Sequence, residues 1–135
     1  MFKTLLILSA ILFLTACDKK AQVVMYDKSL KNNKLKCLGL AYYSGSKLEQ
    51  ELKKLYKFSD NCPYKLELSY KAGIVCNSRY NVPQKVTSNF PTAYIKLEVT
   101  KGLGLEYSYY KDLTHKPDIS DLKDAFNQLK DDILK

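Results

Sequence analysis

The chain has one histidine and no tryptophan, and its four cysteines are scattered, which limits the chemistry available to it. A single histidine cannot make an HxxxH pair, and the cysteines make no CxxC pair, so no local motif places two ligands around a metal ion. No glycine-rich loop is present to cradle a phosphate. A catalytic pairing of His115 with Cys37 or Cys76 has no local support. We therefore expect no catalytic residue, no metal site and no cofactor.

No apolar run reaches the roughly 20 residues that are needed to cross a bilayer core. Residues 5–14 are apolar except for Ser9, and Lys3 gives the chain a positive start. This arrangement is typical of a secretory signal peptide, whose apolar part is shorter than a membrane span. We therefore expect the first residues to direct export.

The apolar run ends in a motif that resembles the lipobox of bacterial lipoproteins, Leu14-Thr15-Ala16-Cys17. The resemblance implies that a peptidase removes residues 1–16, that the Cys17 thiol receives a diacylglycerol, and that the freed amine is acylated, with palmitate as a typical chain. Several acyl chains hold a protein at a membrane almost permanently, at about 0.8 kcal/mol per buried methylene. The alternative is a buried helix over residues 2–16, which the abruptly polar residues after Cys17 disfavour.

Asp18 directly follows the cysteine of this motif. In enteric-type lipoproteins, an aspartate here implies retention at the inner membrane, facing the periplasm. A solvated charge at the start of a tether explains Asp18 equally well. We expect a lipid-anchored envelope protein that faces the periplasm, with the inner membrane slightly favoured. Export makes nucleic acid a poor candidate partner.

Removal of residues 1–16 would shorten the 135-residue chain to 119 residues and, with the loss of Lys3, lower its formal net charge from +8 to +7. This length suits one domain with one modest core. We expect a lipidated tether over residues 17–34 and a single domain over residues 35–135. The positive charge fits anionic headgroups or lipopolysaccharide phosphates. The lysines are spread along the chain, however, which favours an ordinary solvated face.

Three cysteines remain once Cys17 carries lipid, and an oxidising compartment would pair two of them. Cys62 and Cys76 flank a strand-like stretch, and a bridge between them would close a loop of about 15 residues, worth about 3 kcal/mol. Cys37 lies early in an apolar run, where a buried thiol is unremarkable. We favour the Cys62–Cys76 bridge, and a Cys37–Cys62 bridge is nearly as plausible.

Hydrophobic periodicity predicts a small α+β domain. Residues 35–43 are typical of a buried strand, and residues 64–70 alternate as a half-buried one. Ser46 and Glu49 fit a capping box that begins a helix ending near Phe58. A second helix begins after Pro117, and its apolar stripe consists of Leu122, Ala125, Phe126, Leu129 and Ile133. The expected fold is an antiparallel sheet of about four strands with two helices on one face.

The clearest hairpin lies between residues 93 and 109. A two-residue turn at Lys101-Gly102 would divide the apolar residues between both faces of the sheet. A connection with an odd number of residues, such as 101–103, keeps them on one face and places Leu97 opposite Tyr107. We therefore predict a loop of three or five residues.

Tyrosine is the abundant aromatic residue, with eleven copies. Tyr42 and Tyr43 are adjacent, and Tyr107, Tyr109 and Tyr110 crowd one strand. Tyrosine suits partner surfaces, because it buries a large ring and keeps a polar tip. It also fills the edge of a small sheet where its hydroxyl reaches water, and we favour this second explanation.

The order of elements behind the cysteine is similar to that of the small lipoproteins that assist lipopolysaccharide assembly at the outer membrane. The similarity covers most of the mature chain, but Asp18 points to the other membrane, and no functional residue can be carried over from element order alone. We predict a non-enzymatic binding or assembly module whose partner is an envelope protein or an anionic glycolipid. The alternative is an inhibitor or protective lipoprotein that acts on an enzyme such as lysozyme through residues 77–91, with Arg79, Tyr80 and Lys85.

Overall fold

Five strands, one 3₁₀ turn and two helices make up the described part of the fold. A computed structural model describes residues 20–75 and 91–135. In chain order the elements are β1 (Gln22–Met25), a 3₁₀ turn (Lys28–Lys31), β2 (Gly39–Leu40), α1 (Lys47–Leu55), β3 (Tyr64–Lys71), β4 (Ala93–Lys101), β5 (Gly104–Leu113) and α2 (Ile119–Ile133).

The strands of the described residues form one sheet in the order β1-β5-β4-β3-β2. Strands β3, β4 and β5 are an antiparallel meander, and β1 pairs antiparallel with β5 at one edge. At the other edge, β2 pairs with β3 in parallel, because α1 carries the chain back to the end at which β2 began. The predicted α+β fold is confirmed, with five strands rather than about four. The strand expected over residues 35–43 is limited to Gly39–Leu40.

One face of the sheet carries the core. Every second residue of β4 is buried against the helices, namely Ala93, Ile95, Leu97 and Val99. The helix α2 meets them with its predicted stripe, and all five side chains of that stripe are buried. Strand period two and helix period 3.6 therefore place both apolar sets in one layer, which leaves the opposite face of the sheet polar.

Both helices begin with a capping box, in which two side chains satisfy backbone amides at the helix start. At α1, the Glu49 amide donates to Ser46 Oγ at 3.4 Å, and the Ser46 amide donates to Glu49 Oε2 at 3.1 Å. Asp118 and Asp121 make the same exchange at α2, both at 3.0 Å. The predicted Ser46–Glu49 box is confirmed, whereas α1 ends at Leu55, before the expected end near Phe58.

The hairpin of β4 and β5 keeps its apolar residues on one face by means of a β-bulge. The connection is a two-residue turn at 102–103, and the register shifts immediately after Val99. As a result Val99 lies opposite Tyr107, and Leu97 lies opposite Tyr109. The prediction that the apolar residues of both strands lie on one face of the sheet is correct. The odd-length loop and the Leu97–Tyr107 pair are wrong, because the extra residue lies within the strand instead of in the turn.

Residues 22–34 belong to the folded domain, so the predicted tether over residues 17–34 is wrong for this part. Strand β1 satisfies the outer edge of β5, where backbone groups would otherwise be unpaired. The following 3₁₀ turn places Leu30 in the core with 2% of its surface exposed. Leu35 then pairs with the end of α2, its amide donating to the Ile133 carbonyl at 2.7 Å.

Candidate functional site

Cys37 and Cys62 form a disulfide that joins the segments preceding β2 and β3. Their Cα atoms lie 5.9 Å apart, since the parallel pairing of β2 with β3 brings both strand starts to one end of the sheet. The favoured Cys62–Cys76 bridge is therefore corrected to the alternative pairing. Cys62 precedes the eight-residue β3 and Cys76 follows it, and such a strand separates its ends by about 25 Å. Cys76 itself lies outside the described residues.

The two bridged segments lead into the walls of a surface groove of about 450 Å³. One wall consists of residues that follow β2. The other consists of residues from the end of α1 and the turn after it. We call this the tyrosine groove and define it by Tyr42, Tyr43, Lys53, Tyr56, Lys57 and Phe58.

The mouth of the tyrosine groove presents two aromatic rings and a cation. Tyr42 is 68% exposed and Tyr43 is 41% exposed. The Lys53 ammonium nitrogen lies 3.5 Å from the centroid of the Tyr43 ring, a cation–π contact that orients the ring. Large exposed rings with a polar tip are enriched at binding surfaces, so this mouth is the candidate contact area.

The floor of the tyrosine groove is continuous with the core. The rings of Tyr56 and Phe58 pack edge to face with their centroids 5.3 Å apart. Each also contacts the buried ring of Phe126 in α2, at 6.1 and 6.3 Å. Aromatic packing of this kind fixes ring positions, so the floor does not need to rearrange when a ligand binds.

The walls are held together by backbone contacts beside the disulfide. The Ser59 amide donates to the Leu38 carbonyl at 2.9 Å. At the next residue, Gly39, a Cβ atom would lie 2.5 Å from the Ser59 carbonyl oxygen, closer than side chains tolerate. Glycine is therefore required at position 39 for the two walls to approach.

A buried carboxylate fixes the chain that leaves the groove towards α1. Glu49 Oε2 accepts hydrogen bonds from the Ser44 amide at 2.8 Å and from the Ser44 hydroxyl at 2.6 Å, besides the Ser46 amide. Burial raises the pKa of Glu49, but these hydrogen bonds outweigh it and hold the pKa below its usual value. The ionised carboxylate thus fixes Ser44, the residue next to Tyr43.

Two of the three tyrosines that crowd β5, Tyr107 and Tyr109, are part of the core and not of a surface. Tyr107 is fully buried, and its hydroxyl donates to Asp132 Oδ2 at 2.8 Å. Burial, and then this hydrogen bond, raise the pKa of Tyr107 far above its usual value. Tyr109 is also buried. The expectation that tyrosines sit where their hydroxyls reach water fails for this pair, since β5 lies inside the sheet and not at its edge.

The only histidine of the chain, His115, lies at the start of α2, where its Nε2 is 2.9 Å from Asp121 Oδ2. Ligand atoms of His115, Asp118 and Asp121 lie within 4.8 Å of one another. Both carboxylates already serve the capping box, and the hydrogen bond from the Asp121 amide lowers the pKa of Asp118. The group is explained by helix capping. Cys37 cannot act with His115 as a nucleophile, because its thiol is bridged.

Several predicted residues lie outside the described residues. These are Cys17, Asp18, and the proposed inhibitory residues Arg79, Tyr80 and Lys85. Lipidation, the choice of membrane and the inhibitor alternative therefore stay predictions. Within residues 20–75 and 91–135, no helix combines the length and the apolar character needed to cross a membrane.

The tyrosine groove was not predicted from the sequence, although one signal for it was present. A buried strand over residues 35–43 implies buried side chains, whereas Tyr42 and Tyr43 follow the end of β2 and are exposed. The signal was the position of Cys37 and Cys62 just outside the two wall segments, because bridging them brings those segments together.

No family model matches this chain, and no curated protein or solved structure matches it either. Its function is therefore inferred from its own residues and geometry.

Proposed function

We propose that this chain is a bacterial lipoprotein, anchored by lipid on Cys17, that holds a non-enzymatic binding domain at a membrane of the cell envelope. The residues Leu14-Thr15-Ala16-Cys17, placed after an apolar run, support the anchor. The Cys37–Cys62 bridge supports export, because disulfides persist in oxidising compartments. The domain faces the periplasm, and Asp18 favours the inner membrane.

The anchor and the domain are separated by a short linker. Strand β1 begins at Gln22, five residues after Cys17. Five fully extended residues span about 17 Å, so the proposed anchor keeps the first strand within that distance of the bilayer. A linker of this length restricts the domain to partners close to the membrane and raises their effective concentration.

The proposed partner is an extended segment of an envelope protein that lies in the tyrosine groove. Tyrosine rings supply contact area at a low cost in side-chain entropy. Lys53 and Lys57 bring two positive charges to the lining against the single negative charge of Asp60, which favours a segment with carboxylates. The observation that carries the proposal is the exposure of Tyr42 and Tyr43 on walls that a disulfide holds in place, since a preorganised surface loses little freedom on binding.

A photo-reactive phenylalanine analogue at position 42 tests this surface in intact cells. We expect a defined crosslinked adduct with one envelope protein, identified by mass spectrometry and reproduced with the two purified proteins. Tyr43→Ala combined with Lys53→Ala should abolish the adduct, because the two side chains that share the mouth of the groove with position 42 are then removed.

Tyr26 provides the matched control position, since it is 55% exposed and follows β1 at the opposite edge of the sheet. The analogue at position 26 should not give this adduct. The same adduct from both positions, or none from position 42, would show that the groove is not the binding surface.

A further inference from the structure

The overall distribution of lysines along the chain predicts an even spread of charge, but one stretch departs from it. Lys28, Lys31, Lys34 and Lys36 fall within nine residues that contain no acidic residue. The fold gathers three of them around one depression of about 310 Å³. Its lining residues are Lys31, Asn32, Asn33, Lys34, Lys36 and Lys135. We call this depression the lysine hollow. Its described lining has no carboxylate side chain.

The backbone around the lysine hollow is fixed at both ends. The Asp27 carboxylate accepts a hydrogen bond from the Ser29 amide at 2.9 Å and so caps the 3₁₀ turn. Leu30 anchors this turn in the core. Further along, the Lys135 amide donates to the Leu35 carbonyl at 3.0 Å. The backbone that carries these lysines is therefore held in place by the fold.

The charges around the hollow are only partly offset. The Lys34 ammonium donates to the Asp131 carbonyl at 2.7 Å, at the end of α2 where the helix dipole favours a cation. Asp131 and Asp132 line an adjoining depression, so carboxylates lie on one side of the hollow. Among the ion pairs of the described residues, none includes Lys31 or Lys36. The lining of the hollow keeps an excess of positive charge, which attracts anions.

We propose that the lysine hollow binds the phosphate groups of a phosphorylated saccharide. Lysine ammonium groups are strong donors to phosphate, and several of them suit a multiply charged ligand. The amides of Asn32 and Asn33 both donate and accept hydrogen bonds, as saccharide hydroxyls require. The hollow is concave, which admits a discrete ligand better than the flat surface of a bilayer. This inference rests on the proposed function in one respect only, because a protein held in the cell envelope would meet a ligand that is found there.

Calorimetric titration of the purified full chain, in neutral detergent, with glucose 1,6-bisphosphate tests the site. We expect saturable binding that weakens as salt is raised. The double variant Lys31→Gln with Lys36→Gln should weaken binding by about tenfold or more, because two charged contacts to phosphate are lost. The control variant Lys116→Gln with Lys123→Gln makes the same change in net charge on exposed lysines elsewhere. It should change the affinity by less than about twofold.

Three results would overturn the assignment. One is the absence of saturable binding by the unaltered chain. Another is equal weakening by both double variants, which would mean a response to overall charge. The third is binding to phosphatidylglycerol vesicles but not to the bisphosphate, which would make the hollow a membrane contact. The titration requires neither lipid on Cys17 nor a crosslink at Tyr42, so its failure and that of the proposed function can be told apart.

Discussion

Cys37 and Cys62 are 25 residues apart in the chain and are joined directly by a disulfide. Every residue that defines the tyrosine groove lies between them in sequence. The bridge therefore closes the loop that carries the candidate binding surface, and it limits how far the two walls can separate. Stability and binding should depend on this one covalent link.

Replacing both bridged residues, Cys37→Ala with Cys62→Ala, should lower the free energy of unfolding by about 3.5 kcal/mol, because the unfolded loop regains its freedom. The control Cys76→Ala should change it by less than about 0.5 kcal/mol. Chemical denaturation without reductant measures both. If Cys76→Ala were as costly and Cys37→Ala harmless, the bridge would join Cys62 to Cys76 instead.

Phe126→Ala should lower the free energy of unfolding by about 3–5 kcal/mol, because it leaves a cavity where a fully packed ring stood. That is a large fraction of the total for a small domain, about 5–15 kcal/mol. The substitution also removes the ring against which Tyr56 and Phe58 pack. The yield of the crosslink from position 42 should therefore fall. Thermal melting gives the first readout.

Lys123→Ala is the control for Phe126→Ala, since Lys123 lies on the exposed side of the same helix. It should leave the melting temperature nearly unchanged. An unchanged melting temperature for Phe126→Ala, with loss of partner capture, would mean that the α2 stripe is a docking face and not core.

Glu49→Gln should lower the free energy of unfolding at neutral pH by about 1 kcal/mol, because the capping carboxylate loses its charge. The pKa of Glu49 is lowered in the fold from its ordinary value of 4.5, so its contribution is present above that pH and is lost as the pH falls through the lowered value. Urea denaturation at a series of pH values should show a shallower acid loss of stability in the variant.

Glu67→Gln, on an exposed position of β3, is the control for the acid series and should keep the slope of the unaltered chain. Identical slopes for Glu49→Gln and the unaltered chain below about pH 5 would show that the Ser44 and Ser46 hydrogen bonds do not favour the charged form.

The buried face of each helix and strand could be predicted from the sequence, because burial repeats with the period of the element. The stripe of α2 and the alternation in β4 both follow from this rule. The register of the hairpin does not, since the bulge opposite Val99 and Thr100 adds one residue, Glu106, to β5. Strand β1 is too short to show a period, and it forms because β5 offers it an edge.

The candidate surfaces depended on contacts that periodicity does not encode. The parallel pairing of β2 with β3 brings Cys37 to Cys62, and neither residue pattern indicates a parallel strand. The lysine hollow requires the end of α2 to meet residues 28–36, about a hundred positions earlier in the chain. Four lysines already lie together in residues 28–36 of the sequence, and the fold adds Lys135 to them.

Metabolic labelling with palmitate tests the lipid anchor most directly. The unaltered chain should incorporate the label and lose residues 1–16. Cys17→Ser should carry no label and should accumulate as the longer precursor, because the proposed acceptor thiol is missing. Normal labelling of the Cys17→Ser variant would contradict the anchor and, with it, the placement of this domain at a membrane.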